Sequence, residues 1–356
     1  MTFGPAFYMP VLKNKRGEKA ALQALSPQVR SWMVPLIEVT ERRAQPGKAR
    51  TPLPKHLMNQ FKDLPAAVAP FSRFFLDCRE IESEGPTATA DAFALAALLP
   101  FTPVTGISRT VDTVAVMANR KHGVAIRLTR AEFEAGVIPS GLPAFLKSHS
   151  LRHDETDLII DLGAVDTMIT AGVATLAAAF LADVPDRRLW RTLTMSGCAF
   201  PESMGVVDPR SNELVDRVEW LAWRDALYQG RGQLDRLPTF SDCAIQYPKG
   251  VEGFDPRFMS VSASIRITQT DEWLLVKGVS TEVVPAAVQF PGLATRLVYG
   301  DLKRFFAGVQ HCTGCSQMVD AANGLPRLGT AEVWRKLGTI HHITRAVELI
   351  SVLPWP

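Results

Sequence analysis

The sequence has little of what marks a secreted, membrane-bound or nucleic-acid-coating protein. Its 356 residues include 5 cysteines, an odd number, and only Cys312 and Cys315 lie close together. That is too sparse for a disulfide framework and fits a reducing compartment. Long hydrophobic runs are also missing. The longest, ITAGVATLAAAFLADV at 169–184, is short and alanine-rich for a membrane span. The opening MTFGPAFYMPVLKNKRGEKAAL turns charged at Lys13, with no apolar segment or small-residue cleavage site before it. No secretory signal is expected from it, and the expected location is cytoplasmic, with no membrane partner. Charge of one sign is lacking too. The 39 Lys and Arg against 36 Asp and Glu leave a net +3, so any attraction for a polyanion must come from a local patch.

Common catalytic signatures are absent as well: no G-x-S-x-G, Walker A, H-E-x-x-H or EF-hand loop occurs, and no G-x-G-x-x-G follows the first strand-like run. Ser196, Gly197 and Cys198 end another such run without a strand-end histidine beside them, and read as a turn.

What is present is alternation. Short apolar runs lie at 7–13, 33–39, 73–80, 102–108, 123–129, 157–163, 189–197 and 239–246, separated by helix-like stretches such as GEKAALQAL, TADAFALAALL and SNELVDRVEWLAWRDAL. Runs apolar on both faces suit a parallel sheet covered by helices. Eight of them in unbroken alternation predict a (β/α)8 barrel rather than a doubly wound sheet. The barrel is expected over 1–250. The segment at 251–356 is expected to complete the same domain, with a β-hairpin at 260–280 and then helices joined by a cysteine-containing loop.

Polar residues interrupt the apolar runs where a barrel carries its ligand site, at the strand C-termini. Lys13, with Lys15 and Arg16 just beyond, follows the first strand. Glu38 ends the second, Asp77 and Arg79 the third, Arg127 the fifth and Asp161 the sixth. Asp242 lies within the eighth, with Gln246 and Tyr247 at its end. Side chains alternate across a strand, and one phase sends Lys13, Glu38, Asp77, Arg127 and Asp161 into the barrel mouth together. Buried there, they must pair with one another, a ligand or a metal. Mixed signs beside lysine and arginine suit a phosphate-bearing or nucleic-acid-derived ligand. Lys13 and Arg127 would bind anionic oxygens, while Glu38, Asp77 and Asp161 would bind a divalent metal (magnesium or zinc) or move protons.

Near the C-terminus, HCTGC at 311–315 precedes WRKLGTIHHIT at 334–344. Cys312 and Cys315 have the spacing of a zinc knuckle, with His311 and one of His341 and His342 as further ligands; a redox pair and ordinary packing stay open. Adjacent helical residues point about 100° apart, so only one of the two histidines can face a given site. Over the barrel mouth, with Trp334 and Arg335 on the same helix, one of them would serve as an acid/base group or ligand contact.

FYMPVLKNKRGEKAALQAL, VPLIEV, SDCAIQYP, YGDL and WRKLGTIHHIT together resemble the beta protein family, over nearly the whole chain from Tyr8 to about Leu349. These are phage, satellite and bacterial proteins named after one member of a three-gene cassette linked to phage exclusion. The positions that match the family's motifs are Lys13, Lys15, Gly17, Glu18, Glu38, Asp242, Asp301, Trp334, His341 and His342. The resemblance implies an intracellular accessory or antiphage-defence protein and carries no settled reaction. A protein from the same cassette and a second copy of the chain are the candidate partners. Two functions fit: a barrel-mouth cleft that binds or processes a phosphate-bearing ligand, and a non-catalytic module that restrains or senses a partner protein.

Overall fold

Eight short strands pair only through parallel ladders and close on themselves, in the order β1-β2-β3-β4-β5-β6-β7-β9. They are β1 (Tyr8–Lys13), β2 (Leu36–Glu38), β3 (Phe74–Asp77), β4 (Phe101–Thr105), β5 (Val124–Thr129), β6 (Thr156–Ala164), β7 (Thr192–Cys198) and β9 (Thr239–Asp242). The computed structural model describes residues 3–42, 49–248 and 261–355. Every residue of β1, β3, β4, β7 and β9 is buried. Side chains filling the interior and helices covering the outside leave these strands no solvent face. The eight runs expected from sequence each supply one barrel strand. Among the described residues, no helix is long and apolar enough to cross a membrane.

Outside the barrel, β8 (Asn212–Asp216), β10 (Ser262–Thr268) and β11 (Glu272–Ser280) form an antiparallel sheet in the order β10-β11-β8. The expected hairpin is present, save that Ser260 lies outside the described residues, as does the boundary placed at 250. Residues 212–216, expected as the start of a helix, form a strand instead. Leu214 pairs with Leu274 and Val215 with Trp273, so a sheet edge remote in sequence overrides local helix preference. The helix starts only at Val218 and runs to Ala222 before widening into a π-turn over Trp223–Tyr228.

Four helices matter below: α1 (Arg16–Ala24), α2 (Ala286–Val298), α3 (Thr313–Ala322) and α4 (Ala331–Ser351). A second apolar core binds β10, β11, α2, α3 and α4, through Ile265, Leu274, Phe290, Leu297, Met318, Trp334 and Leu337. The cysteine segment is not the expected loop. Cys312 is the N-cap of α3, its sulfur accepting the Cys315 N–H at 3.3 Å.

A buried polar latch joins α4 to the barrel wall. On β9, Phe240 stacks against Tyr8 and packs on Trp220 and Trp223 of the covering helix, so it is on the outer face, and by alternation Asp242 faces outward with it. Its carboxylate takes the Tyr8 hydroxyl and lies 3.1 Å from Nε2 of His342. Nδ1 of His342 is 2.9 Å from the Thr268 hydroxyl on β10. Nε2–H donating to Asp242 and Nδ1 accepting from Thr268 satisfy a neutral imidazole. Burial pulls the His342 pKa below its ordinary value, against the neighbouring Asp242 charge. The guanidinium of Arg217, fully buried, lies 3.7 Å from the same carboxylate. Asp242→Ala therefore strips partners from three buried groups at once. The expected cost is about 3–5 kcal/mol in equilibrium urea unfolding; a loss under about 1 kcal/mol would show that the latch does not hold the helix.

Candidate functional site

Register places the charged strand ends. Lys13 pairs in register with Glu38, and Glu38 with Asp77, so three neighbouring strands present charge at one level of the barrel. Arg127 reaches them from β5, across the interior. Its Nη1 donates to Glu38 at 2.7 Å and to Asp77 at 3.0 Å, while Nε donates to Asp161 at 2.9 Å. Arg79 forms a second layer, bridging Glu38 at 2.8 Å and Asp161 at 3.1 Å. Lys13 pairs with Glu38 and with Glu80. Arg109 holds Asp77 at 2.8 Å and also bonds Asp112.

The carboxylates are satisfied from the backbone as well. Asp77 accepts the Arg79 N–H at 3.0 Å and Asp161 the Gly163 N–H at 2.9 Å. That turn holds Gly163 at a φ of 70°, a region glycine enters freely. Burial alone would raise these acids. For Glu38 it is outweighed by Lys13, Arg79 and Arg127 together, which hold the carboxyl far below the usual carboxylate range. For Asp77 the Arg109 and Arg127 guanidinia do the same, and for Asp161 Arg127 and Arg79. All three are thus anions whose oxygens are taken by cations, which suits neither proton shuttling near neutral pH nor ligation of an additional metal.

Above this lattice lies a cleft of about 720 Å³, bordered by Arg79, Glu80, Glu82, Arg109, Arg130, Glu134, Asp161 and Tyr247 among others. Lys13, Glu38, Asp77, Arg127 and Asp161 thus converge beneath one mouth, and Arg79, Asp161 and Tyr247 line it. The other sequence candidates lie elsewhere. Asp242 and His342 form the outer latch. Lys15 stands at the N-cap position of α1, and Arg16 is exposed, 3.2 Å from Glu332. Trp334 stacks on Phe290 and donates to the Leu328 carbonyl at 2.7 Å, so it is a core residue. Arg335 sits half-buried on the same helix, outside the cleft lining. The sequence reading missed Arg109, Glu80, Glu82, Arg130 and Glu134. Each lies just past a strand end, where the same search for charge applied to the loops would have found it.

His341 does not join the mouth either. It turns toward α3, where it gathers with His311, Cys312 and Cys315; one ligand atom from each residue lies within 4.8 Å of the others. All five cysteines are free of disulfides. Cys312 is pushed below the ordinary thiol range by hydrogen bonds from Cys315 and His341, against its burial.

The family model described as Beta protein matches residues 8–348. No curated protein and no solved structure matches the chain.

Arg127→Met tests the lattice. In the native protein the depressed carboxyl pKa values contribute stability that is present at neutral pH and lost as pH falls below about 4. Without Arg127, burial is opposed only by Lys13, Arg79 and Arg109, so the same carboxyls should climb from their depressed values toward the ordinary range. The variant is expected to lose about 3–5 kcal/mol at neutral pH and to lose less further stability than the native protein as pH falls from about 5 toward 3, a shallower acid slope. Urea unfolding across that range checks it; parallel pH profiles would contradict the assignment.

Proposed function

The chain is a member of the beta protein family, and on that premise we propose an intracellular antiphage-defence protein whose barrel mouth is a recognition cleft. Its work is binding, with no proton transfer assigned to the buried acids. The observation that supports this most is the Arg127 lattice, which keeps Glu38, Asp77 and Asp161 ionised and engaged. The cleft above is of the size that encloses a small organic ligand. Its rim offers guanidinia from Arg79, Arg109 and Arg130 beside carboxylates from Glu80, Glu82 and Glu134. A ligand with anionic oxygens and hydroxyl donors uses both, and a mononucleotide or short oligonucleotide fragment has that chemistry: phosphate on guanidinium, sugar hydroxyls on carboxylate.

A second reading is a module that restrains a partner protein. It is favoured by β8, which ends its sheet as an edge strand with Leu214 at 41% exposure. Strand addition at such an edge is a common route to partner binding.

Calorimetric titration with a panel of nucleotides and short oligonucleotides separates the two. Binding is expected, with Arg130→Ala weakening it about tenfold (roughly 1.4 kcal/mol) while the unliganded melting temperature stays put, since the Arg130 pair with Glu134 is on the surface. Phage plating on the same variant should show a parallel loss of protection. Protection that survives with no phosphate-bearing ligand bound would overturn the cleft reading in favour of the module.

A further inference from the structure

We propose that His311, Cys312, Cys315 and His341 form a closed, four-ligand zinc site that pins the start of α3 to the middle of α4. Two segments far apart in sequence bring two sulfurs and two imidazole nitrogens within 4.8 Å of one another. Convergence alone would be weak support. What strengthens it is how the remaining atoms of each ligand are held.

His341 has its Nε2 2.9 Å from the Thr268 carbonyl, which accepts only from a protonated nitrogen. The proton is thereby fixed on Nε2, and the lone pair is left on Nδ1, which sits 3.3 Å from the Cys315 sulfur. His311 is held in the opposite sense. Its Nδ1 lies 3.2 Å from the Glu348 carboxylate, and its Nε2 is buried with no hydrogen-bond partner. Each histidine therefore gives its outer nitrogen to a carbonyl or carboxylate and turns the other into the cluster, the arrangement that orients metal-bound imidazoles. The Cys312 sulfur accepts the Cys315 N–H at 3.3 Å, which suits a thiolate. Gly314 lets this turn approach α4: a Cβ there would lie 2.7 Å from the Leu337 carbonyl.

The donor set selects the metal. Two thiolates and two neutral imidazoles match zinc, and four protein ligands leave no open position for a reactive water. Two thiolate charges against a dication also leave the buried site neutral. The site is structural, and it lies on the helix that carries the Asp242–His342 latch. Loss of the metal should free the α3 end and loosen α4 without touching the barrel mouth.

Protein purified without chelating resin or added metal should contain about one zinc per chain by mass spectrometry of the elements. Exchange with cobalt should give the visible bands of a tetrahedral thiolate complex. Cys312→Ser and His341→Ala are expected to lose the metal, while the surface change His122→Ala keeps it. Strong chelator should release the zinc, expose both cysteines to thiol reagent and lower the melting temperature. If either ligand variant fails to fold, the zinc content and cobalt spectrum of the native chain decide the matter. Folded native protein free of metal, or one with a Cys312–Cys315 disulfide, would overturn the proposal.

Discussion

The barrel mouth depends on one guanidinium. Arg127 is 2% exposed and touches three carboxylates from three other strands. Without it, Glu38, Asp77 and Asp161 would keep only Lys13, Arg79 and Arg109 against their mutual repulsion, and an under-paired buried charge costs several kcal/mol to hold away from water. With it, they become acceptors that set the positions of Arg79 and Arg109 above, which line the cleft. The lattice thus converts a cost of burial into a rigid floor. Saturation of the floor also bears on function, since groups already spent on one another are poor proton carriers and good positioning elements.

The C-terminal elaboration includes one helix, α4, that uses neighbouring residues for different tasks. His341 and His342 are about 100° apart on α4. One turns to the cysteine pair at the start of α3, and the other to Asp242 and Tyr8 on the barrel wall. Thr268 on β10 serves both, its carbonyl holding His341 and its hydroxyl meeting His342. Hairpin, helix pair and barrel therefore meet at one buried polar junction, and either histidine's loss should be felt in stability before it is felt in the cleft.

How much of this was legible depended on whether the cause was local. The barrel strands announce themselves because residues such as those of VLK or FFLD are apolar on both faces and end in charge. Alternation alone then phases Lys13, Glu38 and Asp77 inward. Asp242 defeated the same reasoning: its run continues past the true strand end, and the packing of Phe240 against Trp220 and Trp223 on the covering helix shows which face is outside. The strand at 212–216 was hidden because its partner, β11, lies far along the chain. Helical geometry required the two histidines to diverge, yet which one met which neighbour depended on how α4 docks, information that no local pattern carries. Arg109 was missed for a simpler reason, since it follows its strand in a loop.

The central claim is that the mouth's acids are permanently ionised structural anions. The most direct measurement is a carbon-13 NMR pH titration of the aspartate and glutamate carboxyls, with Glu38, Asp77 and Asp161 assigned by single substitution. The account predicts that all three stay ionised to below about pH 4, under the ordinary carboxylate range. A carboxyl among them titrating between about pH 6 and 8 would contradict it, and would return that residue to the role of an acid or base.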